Sequence, residues 1–126
     1  MTSFHRIPFL AVLAVPLLAL AQVSVDPPAD SAPIKGDELR SAVSGKTFTY
    51  ASTAAINGRV QYQDGGFVYV NMSSGFSDRG KWSVQDDKLC YEFQRAPSGC
   101  FPMRAKAGTL FVKRGSDGQW SQLIPQ

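Results

Sequence analysis

The sequence predicts an all-β domain with one short N-terminal helix: a small antiparallel meander of seven or eight strands, rolled into a curved sheet or closed barrel, with one disulfide hairpin. Three observations predict it. After Lys46, turn-forming groups recur at gaps of roughly 7 to 14 residues, among them Asn57-Gly58, Asp64-Gly65-Gly66, Asp86-Asp87, Pro97-Ser98-Gly99 and Ala107-Gly108. The segments between them are rich in β-branched and aromatic residues, as half-buried pleated strands are. The only two cysteines, Cys90 and Cys100, occupy matching positions of two successive strand segments.

The chain opens with Arg6 as its single early cation, followed by an apolar run of about 14 residues that ends in Ala19-Leu20-Ala21. The run is short of the roughly 18 residues a membrane span needs and ends in a small-x-small site, so residues 1–21 are expected to be a signal peptide cleaved near Ala21. No cysteine follows that site to carry a lipid, so no stable membrane anchor is expected and the mature chain is placed in the periplasm or secreted. Residues 22–35 hold Pro27, Pro28 and Pro33 with little to bury, and read as an extended, disordered tether. Residues 36–126 suffice for a single β domain.

Within that domain the first element is the helix. Asp37 is placed to cap it, Leu39, Ala42 and Val43 share one helical face, and Gly45 stands where it would stop. Strand parity then takes over, because alternate side chains point to opposite faces. Trp82 and Val84 share one parity and Lys81, Ser83 and Gln85 the other. Phe67 to Met72 are apolar on both parities, which predicts either a cover or a partner, with the helix favoured as the cover the chain itself supplies. So many strands in so short a chain favour closure, which removes exposed edges.

Leu89, Tyr91 and Phe93 face inward, which leaves Cys90 on the polar face with Glu92 and Gln94; Cys100 shares its face with Arg104 and Lys106. A hairpin turning around Arg95 sets position 90 opposite position 100, within disulfide reach. Export to an oxidising compartment predicts that the pair is bonded. Closing that loop contributes about 2.5–3 kcal/mol in the chain-entropy view, a staple's role. A redox function would require a low-pKa thiolate in a tighter motif, and a metal site about four ligands.

His5, the one histidine, leaves with the signal peptide. Imidazole-dependent nucleophilic catalysis, histidine metal sites and histidine pH switching are thereby excluded for the mature chain. Its surplus of two positive charges is too small to indicate nucleic acid. Asp86 and Asp87 are adjacent in a predicted turn and read as turn formers rather than a catalytic pair. The expectation is a non-enzyme without cofactor or metal.

The ordered set S-G-K-T at Ser44 to Thr47, G-K-W at Gly80 to Trp82, Leu89-Cys90, Cys100-Phe101, and L-F-V-K-R followed by D-G-Q-W between Leu110 and Trp120 resembles a proteobacterial family of exported proteins, domain of unknown function 995. The resemblance runs from about Leu39 to Leu123. It implies the same fold, export to a Gram-negative periplasm and the cysteine pair. Pro102-Met103-Arg104 stands here where that family often has a histidine after Cys-Phe.

Two functions are open on these residues. The first is a non-catalytic periplasmic module that binds an envelope protein or glycan, as an inhibitor or accessory subunit, through Phe76, Asp78 and Arg79 of the longest predicted connection and the basic pair Arg104 and Lys106. The alternative is a carrier of a small apolar ligand inside the barrel, with Tyr62, Trp82, Tyr91 and Trp120 lining the cavity.

Overall fold

The computed structural model describes residues 25–126 apart from 53, 54 and 116. The signal-peptide expectation for residues 1–21 lies outside the described residues. Ten elements follow one another: β1 (Ala32–Pro33), α1 (Gly36–Val43), β2 (Thr47–Ser52), β3 (Ala55–Tyr62), β4 (Phe67–Met72), β5 (Ser77–Gln85), β6 (Lys88–Phe93), β7 (Gly99–Lys106), β8 (Thr109–Lys113) and β9 (Trp120–Pro125). From β2 onward each strand pairs antiparallel with the next, and β2 pairs with β9 from Phe48↔Pro125 to Ala51↔Gln122. The result is a closed eight-stranded up-and-down barrel, with the two-residue β1 added beside β7. Closure leaves the eight strands no edge along that ring.

Alternation decides the interior. Phe48 and Tyr50 of β2, Val60 and Tyr62 of β3, Val68 and Val70 of β4, Trp82 of β5, Leu89 and Tyr91 of β6, Met103 of β7, Leu110 and Val112 of β8 and Leu123 of β9 form or flank one core cluster. The hairpin register is the one that parity predicts: Cys90 and Cys100 are direct cross-strand partners, joined by a disulfide with sulfurs 2.08 Å apart.

The connections split between the two ends of the barrel. The turns β3–β4, β5–β6 and β7–β8 lie at one end; the loops β4–β5, β6–β7 and β8–β9 lie at the other. Helix α1, which feeds β2, sits at the first end. Its Ser44 C-cap hydroxyl donates to Asp64 Oδ1 at 2.8 Å, and Gly36 N–H donates to the Asp86 carbonyl at 2.9 Å. Leu39 and Val43 are wholly buried in the barrel core, so the helix stoppers that end.

Several sequence expectations are corrected here. Asp37 does not cap the helix: the cap position is Lys35, without a side-chain bond, and Asp37 lies in the first turn paired with Arg40 at 2.5 Å. The Asp86 carbonyl from the β5–β6 turn takes the Gly36 N–H, so a tertiary partner does part of a cap's work. The helix does not cover the outer face of β4, where Phe67 remains 47% exposed, because its apolar stripe is spent on the barrel end. Asn57-Gly58 is no hairpin turn but lies inside β3, beside the register shift at Tyr50/Ala51. A Cβ at Gly58 would fall 2.1 Å from the Asn71 carbonyl oxygen, so glycine is required by the close approach of β4.

The tether expectation also changes. Val25 is 2% exposed, and Ser31 and Ile34 are buried. Arg104 donates from Nε to Ser31 Oγ at 2.9 Å and from Nη2 to the Ser31 carbonyl, while Lys106 forms an ion pair with Asp30. Two apolar anchors and the outward basic pair on β7 seat a segment whose proline content reads as disordered when taken alone.

Candidate functional site

Packing differs sharply along the barrel axis. Next to the helix, Phe48, Val68, Trp82, Leu89, Met103 and Leu110 fill the interior. Tyr62 caps this layer, edge-on to Phe48 at 5.7 Å and to Trp82 at 5.9 Å between ring centroids. Beyond Tyr62 the barrel holds a cavity of about 290 Å³. Its walls are Tyr50, Val60, Val70, Met72, Tyr91, Phe93, Phe101, Val112 and Leu123. Its rim comes from the loop end: Phe76 of β4–β5, Ala96 and Pro97 of β6–β7, and Arg114 and Gly115 of β8–β9.

No helix enters this end, which is bounded by the β4–β5, β6–β7 and β8–β9 loops. The loops there are tied down from inside rather than filled. Asp78, 8% exposed on the inward parity of β5, accepts from Arg79 N–H at 2.9 Å through Oδ1, and from Arg95 N–H at 3.1 Å and Ala96 N–H at 2.8 Å through Oδ2. Burial raises its pKa, but the three amide bonds with the Arg95 charge outweigh that and hold the carboxyl below its ordinary range. Arg95 in turn lies 5.0 Å over the Phe76 ring, a cation–π contact that lays the aromatic against the rim.

The cavity floor is polar in one place. The Tyr62 and Tyr91 hydroxyls bond each other at 2.6 Å, buried. Burial first, then the neighbouring Tyr91 hydroxyl, holds the Tyr62 phenol well above its usual pKa; burial raises Tyr91 too, against the opposing bond from Tyr62. Both phenols stay protonated, and their mutual bond uses one of two protons. A second polar pair, Tyr50 and the wholly buried Ser121, closes at 2.9 Å.

Of the residues expected to line a ligand cavity, Tyr62 and Tyr91 do so. Trp82 is inward but belongs to the packed layer, its indole N–H donating to the Gln63 carbonyl at 2.9 Å. Trp120 holds the opposite parity to the buried Ser121 and Leu123 of its own strand, so it points away from the interior. Of the residues expected to contact a partner, Arg79 is exposed, Phe76 is half-buried at the rim, and Asp78 is committed to the loop. Arg104 and Lys106 hold the N-terminal segment.

Sequence reasoning missed Arg114 as a rim residue. Its signal was present: Leu110, Val112 and Arg114 share one parity, so an arginine ends an inward row. The β8–β9 loop is closed by Arg114 N–H to the Gln119 carbonyl at 2.8 Å and Gly118 N–H to the Arg114 carbonyl at 3.1 Å, which fixes where the side chain leaves the strand.

Among the described residues no group of three or more His, Cys, Asp or Glu is placed to hold a metal ion, and no helix is long and apolar enough to cross a membrane. Fold and site together define a stoppered eight-stranded barrel with a single-ended interior cavity. No family model, curated protein or solved structure matches the chain.

Proposed function

We propose that the protein binds a small, mainly apolar molecule inside its barrel and acts as a non-catalytic carrier or sensor in an exported, oxidising compartment. The observation that carries this reading is the cavity itself: about 290 Å³ lined mostly by apolar and aromatic side chains, near the lower end of the range for small-molecule sites. At about 30 Å³ per water-sized unit it has room for roughly ten non-hydrogen atoms. Support also comes from the rim, where Phe76 is held by Arg95 over the cavity instead of projecting toward a macromolecule. The disulfide is at home in an oxidising compartment.

Filling the cavity tests this reading. Val70→Phe places a larger side chain on the cavity wall. The wild type is expected to shift and raise the fluorescence of the small neutral dye 1-aminonaphthalene saturably, and the variant to weaken that binding at least about tenfold while keeping its melting temperature. Equal dye affinity in the two proteins would place the dye elsewhere and remove the basis for the reading.

A further inference from the structure

Arg114 is the only cationic residue among those lining the cavity. Its side chain is 29% exposed, and Nη2 is held by Asp117 Oδ2 at 2.7 Å and Gln119 Oε1 at 3.4 Å. Asp117 is itself fixed, accepting Gln119 N–H through Oδ1 at 3.0 Å. The guanidinium is therefore oriented by its own loop. Its Nε–H is shut off from solvent and has no hydrogen-bond partner among the described residues, the one such buried side-chain group among them. A water-sized atom in the cavity does not touch Nε, so a ligand meets the accessible part of the guanidinium instead.

The other charge on the lining, Asp78, is engaged by three backbone amides and faces the Arg95 charge, so its carboxylate serves the loop. Apolar walls therefore run from the Tyr62 floor up to a rim whose one cation is the Arg114 guanidinium. Resting on the cavity reading above, we propose that the ligand is a medium-chain monocarboxylate. Its alkyl chain lies between Val60, Val70, Met72, Phe93, Phe101 and Val112, and its carboxylate accepts from the accessible part of the Arg114 guanidinium at the mouth. A charged acceptor bonds such a donor about twice as strongly as a neutral one, which favours the acid over the matching alcohol. Octanoate, with ten non-hydrogen atoms, matches the volume.

The experiment is displacement of 1-aminonaphthalene from the disulfide-bonded protein by octanoate and by octan-1-ol, with wild type, Arg114→Gln and Tyr91→Phe. The expected result is that wild type prefers octanoate by about tenfold or more. Arg114→Gln then loses that preference while octan-1-ol binds as before, which also shows that the variant is folded. If octanoate and octan-1-ol bind wild type equally and Arg114→Gln changes neither, the cavity reading stands and the carboxylate proposal falls. If Tyr91→Phe abolishes the preference and Arg114→Gln does not, the acid group sits on the floor and the proposal is again overturned. If neither compound displaces the dye, the cavity reading fails together with it.

Discussion

In the half of the barrel against α1, six apolar side chains and the one buried face of the helix, with Leu39 and Val43, fill the interior; in the half toward the loops, a mostly apolar wall surrounds about 290 Å³ of unfilled space. The same strands serve both halves, and the same inward parity continues along each of them. What differs is the closure of the ends. One end receives an apolar helix as a stopper, whereas the other is bounded by loops anchored through Asp78 and by a fixed arginine loop. The difference teaches that openness here is maintained by polar loop chemistry and not by a lack of apolar residues.

The disulfide stands at the boundary of this division, between Leu89 of the packed layer and Tyr91 of the cavity wall. Its hairpin carries the β6–β7 loop, whose Ala96 and Pro97 form part of the rim, and Cys90 pairs beside Tyr91 of the cavity wall. A covalent cross-link between neighbouring strands ties the hairpin where the packed layer and the cavity meet.

The largest effect that would break or sharpen the contrast is a pair of leucine truncations. Leu89→Ala, in the packed layer, should destabilise by about 3–5 kcal/mol. Leu123→Ala, equally buried but on the cavity wall, should cost at least about 1 kcal/mol less, since part of its surface already lacks contact partners. Urea unfolding of both variants measures this, and equal losses would mean the cavity half is as tightly packed as the other.

Reduction of Cys90–Cys100 comes next, with an expected loss of about 2.5–3 kcal/mol. Amide exchange should then quicken most in the β6–β7 loop and least near α1. Uniform quickening would show that the staple serves the whole barrel equally.

The smallest effects are those of pH. Tyr62 and Tyr91 have raised pKa values in the fold, so their contribution is fully present below about pH 10 and is lost as pH climbs above it. Tyr91→Phe should cost about 1 kcal/mol at pH 7 for the lost hydroxyl bond, and the gap to wild type should narrow above pH 10. Asp78 has the opposite sign. Its lowered pKa contributes stability above about pH 4 that disappears as the carboxyl protonates, so Asp78→Asn should flatten the acid limb of the stability profile. Unchanged limbs in both variants would show that these groups titrate alike in the folded and unfolded chains.

Much of this architecture was legible in the sequence because strand alternation is a local property. Period two assigns Tyr91 inward and Cys90 outward without any knowledge of neighbours, and a tight hairpin converts that parity into the 90↔100 pairing. The same rule sends Trp120 outward and runs Leu110, Val112 and Arg114 inward, although the arginine reads as surface until the row is followed to its end. Parity is silent on height along the barrel axis. Trp82 and Tyr91 are both inward and directly paired, yet one is packed beneath Tyr62 and the other walls the cavity.

By itself the sequence determined the class, the sidedness of the strands, the short helix and the cysteine partnership, since each depends on residues within a turn or a hairpin of one another. Only the tertiary structure decided that β2 meets β9, that the helix enters one end and not the outer face of β4, that Arg104 and Lys106 hold the N-terminal segment, and that the opposite end stays hollow. Those outcomes depend on which distant groups compete for the same apolar surface and the same hydrogen-bond donors, and that competition is settled when the barrel closes.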